Sequence, residues 1–391
     1  MKFTLVLLSL LAALYLAGCG EEPGAAGTPE ETTVGDVTDV VPEADFYFDV
    51  VDSIGVELGD SNYVFGAISS AKFAPDGSIF VVDTQRSAVL FYTPGGEFER
   101  QVGREGSGPG EFILPSDADF YEDGRFVVTN NGAMMLTVFD RDFNYLYDIK
   151  DFFPAPPMAI TAVEGNRVVG VKPDWTQNEE GMFMGFTVAC WDDSGNVTAT
   201  YHSSMSPFDP SDLSSMLNDL CLFGASRSGR VFTASMSSEE YAVTAWSPEA
   251  EELFVIERDF PRVHKTQDEI DRETELANAR MIQNGMPPEM AHWEPDPYRN
   301  MVGGIQVDGM DRVWVSRGTV RTPFYDVYDL DGTQLFTAAV DPSVGFDENV
   351  GIVVGDGSFL AFNPNPEDYA RIYILELEGV PSHSETGGLP E

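Results

Sequence analysis

The chain has 391 residues, 65 Asp plus Glu against 22 Lys plus Arg, and a formal net charge of −43 at pH 7. That charge repels a polyanion such as DNA and an anionic membrane surface alike, so no nucleic-acid partner is expected. With 43% apolar and 12% aromatic residues the chain has ample material for a packed core, which excludes global disorder. The acidity itself reads first as solubility, with a cation-binding surface as the sharper alternative.

At the N-terminus Lys2 precedes an apolar run from Phe3 to Tyr15, the pattern of a signal-peptide core and too short for a membrane span. Leu16-Ala17-Gly18-Cys19 follows and resembles the lipobox of bacterial lipoproteins. The resemblance implies a signal peptide over residues 1–18 and lipid attachment on Cys19. With Gly20 after the cysteine, it further implies sorting to the outer membrane of the envelope, on its periplasmic or surface face. Residues 19–44 are Gly, Pro, Thr and acid, and read as a flexible tether unable to offset its ordering entropy by burial.

Alternating apolar residues at Phe46, Phe48, Val50, Ile54, Val56 and Leu58 predict one or two strands next. From Ala67 a unit of four β-rich runs begins. Ile68 to Phe73, the turn Pro75-Asp76-Gly77, Ile79 to Asp83, Val89 to Tyr92, the turn Pro94-Gly95-Gly96, and Phe98 to Val102 make one antiparallel meander. It ends in a Gly/Pro connector from Gly103 to Phe112. This pattern predicts one propeller blade, and comparable units begin near Ser116, Ile160, Leu220, Gly303 and Val350. The third carries an insertion around residues 175–182. The sixth has only three strands, so the strand at residues 46–50 is the natural fourth and would close the ring. The fold class is therefore all-β: a six-bladed β-propeller of four-stranded antiparallel blades over residues 45–379, with a disordered tail at 380–391.

One segment breaks the pattern. Thr266 and Glu269 stand at capping-box spacing and open a helix that stops at Asn284-Gly285, within an insertion spanning residues 265–300. It reads as a lid on one face of the disc, with a cover over a central pocket as the functional alternative.

Gly77 to Thr84, Val89-Leu90-Phe91 and Gly103 to Phe112 resemble the NHL-repeat and TolB-like six-bladed propellers, and with the lipobox the chain looks like a six-bladed propeller lipoprotein. Fold does not fix function on this scaffold. A zinc lyase of the NHL type would need several converging His, and only His202, His264, His292 and His383 exist. A gluconolactonase-like hydrolase would need a calcium set that the acids here do not align to, so no cofactor is expected, with bound calcium left open. Asp329 to Gly332 reads as hairpin turn chemistry rather than a calcium loop, and Asp83 as a turn cap rather than a catalyst. Cys190 and Cys221 read as buried thiols, an exported disulfide being the alternative.

The expected role is that of a non-catalytic, monomeric binding module for an envelope protein, peptide or glycan, meeting the membrane only through its lipid. A metal-assisted hydrolase or lyase is the alternative. Candidate ligand-binding residues, chosen as aromatics and scarce cations, are Trp175, Trp293, Tyr298, Arg317 and Arg321. No catalytic or metal-ligating residue is assigned.

Overall fold

The computed structural model describes residues 42–150, 152–179, 181–208, 220–283, 287–288, 291–341, 350–364, 366, 368–377 and 379. The signal segment, Cys19, the tether before Pro42, the helix stop at Asn284-Gly285 and the tail beyond Gly379 lie outside the described residues.

The described strands group into six antiparallel sets of four. Blade one is β2(Ile68–Phe73), β3(Ile79–Asp83), β4(Ala88–Tyr92) and β5(Phe98–Val102). Blade two is β6(Pro115–Phe120), β7(Phe126–Asn130), β8(Met135–Phe139) and β9(Tyr145–Ile149). Blade three is β10(Ala159–Val163), β11(Arg167–Asn178), β12(Gly181–Trp191) and β13(Val197–Pro207). Blade four is β14(Cys221–Ala225), β15(Val231–Ser235), β16(Tyr241–Trp246) and β17(Glu252–Arg258). Helix α1(Gln267–Gln283) follows, and then blade five: β18(Val302–Val307), β19(Val313–Arg317), β20(Phe324–Tyr328) and β21(Gln334–Val340). Blade six is β22(Gly351–Val354), β23(Phe359–Phe362), β24(Ile372–Leu377) and, from the other end of the chain, β1(Phe46–Ile54).

The innermost strands β2, β6, β10, β14, β18 and β22 contact one another in succession, and β22 returns to β2. A ring of six blades is the only arrangement that satisfies this. β1 completes it as expected, antiparallel to β24 over Phe48 to Ile54. Its first residues also pair in parallel with β21, Phe46 with Ala338 through Phe48 with Val340, so blades five and six share one eight-stranded sheet. No second strand follows β1. Val56 and Leu58 lie in irregular chain and Leu58 is 85% exposed, because blade six already has its four strands.

Each junction between blades holds its own core. Phe80, Phe91, Phe112, Phe126 and Phe139 fill the gap between blades one and two, and Phe48, Trp314, Tyr325 and Phe359 that between five and six. The middle strands are covered on both faces by neighbouring blades, so β3, β4 and β7 are buried at every position. That is why they read as unbroken apolar runs. The connector after blade one depends on Gly103, whose φ of +77° and missing side chain let the Phe112 ring approach; a Cβ there would sit 2.1 Å from the ring.

The extra length expected in blade three around residues 175–182 takes the form of longer strands: β11, β12 and β13 run to 12, 11 and 11 residues and project beyond the other blades. The β-compatible run Trp175-Thr176 opposite Phe183-Met184 sustains the ladder.

Candidate functional site

Strand connectivity gives the disc two unlike faces. Hairpins within a blade, first to second strand and third to fourth, turn on one side, here termed the turn face. The second-to-third loops and the blade-to-blade connections lie on the other, the loop face. All five sequence-chosen residues fall at the loop face: Trp175 on the extension of β11, Trp293 and Tyr298 in the connection after blade four, and Arg317 and Arg321 at the end of β19 and in the loop after it.

The structure brings four of them around the helical insertion. The capping box forms as expected, with the Thr266 N–H donating to Glu269 Oε2 at 2.7 Å and the Glu269 N–H to Thr266 Oγ1 at 3.3 Å. Glu269 is fully buried and also accepts from Arg299 Nε at 2.8 Å and Nη2 at 3.0 Å, and from Arg321 Nη2 at 3.3 Å. Arg299 further donates to the Thr319 carbonyl, so one carboxylate ties the insertion to blade five. Trp293 is buried, with its indole N–H on Glu273, and packs with Ala277 and Met281 of α1 against Met184 and Phe186 of blade three. Tyr298 lies beneath the Arg262 guanidinium at 3.6 Å and against the His264 ring at 4.0 Å. Arg317 holds the buried Asp326 bidentately, 2.6 Å on each arm, between the rings of Phe260 and Phe324. Tyr241 donates to the same carboxylate, and burial followed by that charge drives its phenol strongly upward. These groups act as struts. Trp175 stands apart, 36% exposed, with its ring tilted against that of Phe153 at 5.6 Å.

The axis carries a second polar set that the sequence reading did not single out. Lys72 Nζ of blade one donates to Asp117 Oδ2 at 2.8 Å, the Ala118 carbonyl at 3.1 Å and the Ile160 carbonyl at 2.7 Å. Asp117 accepts from the Ile160 N–H, and Asp119 from the Ala162 N–H, both at 2.8 Å. Arg227 of blade four reaches Asp119 with both terminal nitrogens, at 2.9 and 3.0 Å. Burial alone would raise the Asp119 carboxyl, but the Arg227 and Lys72 charges and these hydrogen bonds hold it below the usual carboxylate range. Gln306 does the same work for blade six, donating to the Ile352 carbonyl and accepting from the Val354 N–H. The side chains cap the free inner edges of neighbouring blades, a use of charge that a repeat pattern does not reveal.

A further feature of the loop face was legible only in part. Around blades one to three, Ile113, Leu114, Met134, Phe153, Trp175 and Met205 are all at least one-third exposed. Leu114 and Met134 hold left-handed backbone, φ +51° and +54°, a costly conformation for apolar residues. Of these only Trp175 is a candidate from the sequence; the others have no local mark.

The remaining candidates are quickly placed. Asp83 caps the Arg86 N–H as expected and also accepts from Gly66 and Ala67, and Asp329 accepts from Asp331 and Thr333 in a tight turn. Cys190 and Cys221 are free and buried in one core, and burial pushes the Cys221 thiol up to about 12. Among the described residues no three His, Cys, Asp or Glu are grouped to hold a metal ion, and no helix is long and apolar enough to cross a membrane.

Residues 28–150 match a family model described as 6-bladed beta-propeller. The matched stretch contains β1 and the whole of blades one and two. No curated protein matches the chain. Among solved structures it is similar to a Bacteroides fragilis protein named for its expected export, at 12% identity and a TM-score of 0.52, covering 88% of this chain and 98% of that one. A member of the duf4221 family from Bacteroides vulgatus gives 9% identity and 0.50, covering 87% and 100%. A streptogramin B lyase, at 12% identity and coverage of 85% and 98%, reaches 0.44, too distant to carry an argument. At these identities the likeness shows the fold alone.

Proposed function

We propose that this chain is a non-catalytic binding module of the bacterial envelope, a monomer tethered through a lipid on Cys19, that takes a protein, peptide or glycan partner on its loop face. The observation that carries the reading is the exposed apolar arc from Ile113 to Met205, centred on the Phe153–Trp175 pair. Apolar side chains held in strained backbone and open to water are costly to a monomer, and an aromatic pair of this kind is a ready anchor for a partner. The metal-assisted hydrolase or lyase alternative finds no ligand cluster among the described residues. Export fits the signal-like N-terminus, which lies outside the described residues.

A photo-crosslinking amino acid at position 175 on the loop face, and at position 331 on the turn face, tests the reading in intact cells. A discrete crosslinked partner at 175 that disappears with Phe153→Ala, and none at 331, is the expected result. Equal labelling at both positions, or labelling at 331 alone, overturns it.

A further inference from the structure

On the outer side of blades one and two lies a groove of about 620 Å³, in the range of small-ligand and peptide sites. One wall is β5 with Gly103, residues 99–103 in unbroken succession; the other is the hairpin of blade two, Phe139, Asp142, Phe143, Asn144 and Tyr145, with Pro109 and Gly110 between. β5 is the last strand of its sheet, paired to β4 alone, so its outer backbone edge is open. Elsewhere this molecule fills such an edge. The corresponding strand of blade five, β21, takes three residues of β1 in parallel, locked by Asp45, which accepts from the Thr337 N–H and hydroxyl.

The charge says what could occupy the groove. Arg100 lies over the Phe143 ring at 5.0 Å, and Glu99 and Asp142 are exposed carboxylates with no ion pair among the described residues. Residues 20–44 and 380–391 contain acids and no Lys or Arg, so neither stretch complements them. A second copy carries −43 of its own. We infer that the β5 groove is a second binding surface, distinct from the loop face, that accepts an extended cationic segment of a partner protein by strand addition, with an apolar side chain against Phe143 and Tyr145.

The test uses the full chain and three labelled peptides: alternating lysine and phenylalanine, its glutamate counterpart, and the lysine peptide methylated on alternate backbone nitrogens. The lysine peptide binds, the glutamate peptide does not, and methylation weakens binding about tenfold because it removes the strand's donors. Hydrogen exchange slows across β5 when the lysine peptide is present. The double variant Glu99→Lys/Asp142→Lys keeps the wild-type melting curve, since both residues are exposed, and loses about tenfold in affinity. Affinity indifferent to methylation or to the double variant, protection mapping away from β5, or no lysine-peptide binding each overturns the inference. So does a dimer in sedimentation that the double variant dissolves, which would assign the edge to a second copy.

Discussion

The turn face and the loop face differ in the reach of many of their polar side chains. On the turn face several carboxylates serve their own hairpin: Asp123 accepts from the Arg125 N–H, Asp140 from Asp142 and Asn144, Asp192 from Ser194 and Asn196, Asp308 from Met310 and Arg312, and Asp329 from Asp331 and Thr333, while Asp193 and Asp331 accept from Arg125 and Arg230 of other blades. On the loop face the bonds span long stretches of chain. Asp83 reaches back to Gly66 and Ala67, Asn130 holds Glu111 and Ile113, and Glu269 gathers Arg299 and Arg321. The difference teaches where the acidity comes from. Part of it is turn chemistry repeated from blade to blade. It also separates a face rich in bonds local to one turn from one where longer-range bonds gather on single side chains.

The contrast breaks most visibly at Glu269. Glu269→Ala leaves the buried Arg299 without its carboxylate and is expected to cost about 3–5 kcal/mol in denaturant unfolding, with proteolysis opening the chain around α1 first. Asp119→Asn, at the axis between the faces, should cost about 2 kcal/mol at neutral pH. Its pH dependence is the sharper readout. The folded carboxyl lies below its ordinary value, so its stabilisation is present above about pH 3.9 and is lost as pH falls through the depressed value. The gap between wild type and variant therefore closes only in strong acid; a gap that persists there would mean Arg227 does not set the carboxyl. Gly103→Ala should lose about 2 kcal/mol by forcing the Phe112 ring from its seat. The smallest effect belongs to the turn face: Asp329→Ala is expected to cost about 1 kcal/mol, with unchanged exchange outside its hairpin. A loss there as large as that of Glu269→Ala would erase the distinction between the faces.

The sequence shows architecture through repetition and conceals what repetition does not carry. Blade one was readable because Pro75-Asp76-Gly77 and Pro94-Gly95-Gly96 punctuate runs of strand-forming residues. The capping box at Thr266 and Glu269 was readable because its bonds close over three residues. Residues 175–182 read as an insertion because no neighbouring repeat has strands of that length. The parallel pairing of β1 with β21 has no local signal, since its partners are 292 residues apart in the Asp45–Thr337 contact. Of the chosen site residues, Trp293 and Arg317 were selected by type, and type alone does not distinguish an exposed anchor from a buried strut. Lys72, Asp117 and Asp119 have no local signal because their partners lie on other blades.

β1 belongs to two blades at once and is the first described element of the chain. A pull along it from its N-terminal side loads its hydrogen bonds to β24 and β21 together in shear, with the Asp45–Thr337 lock nearest the load. Losing that strand would leave an outer edge bare on both blades and open the ring. Under the proposed tether at Cys19, the clasp of the ring and the point of suspension would be one strand, so mechanical endurance would be decided where the chain enters the fold.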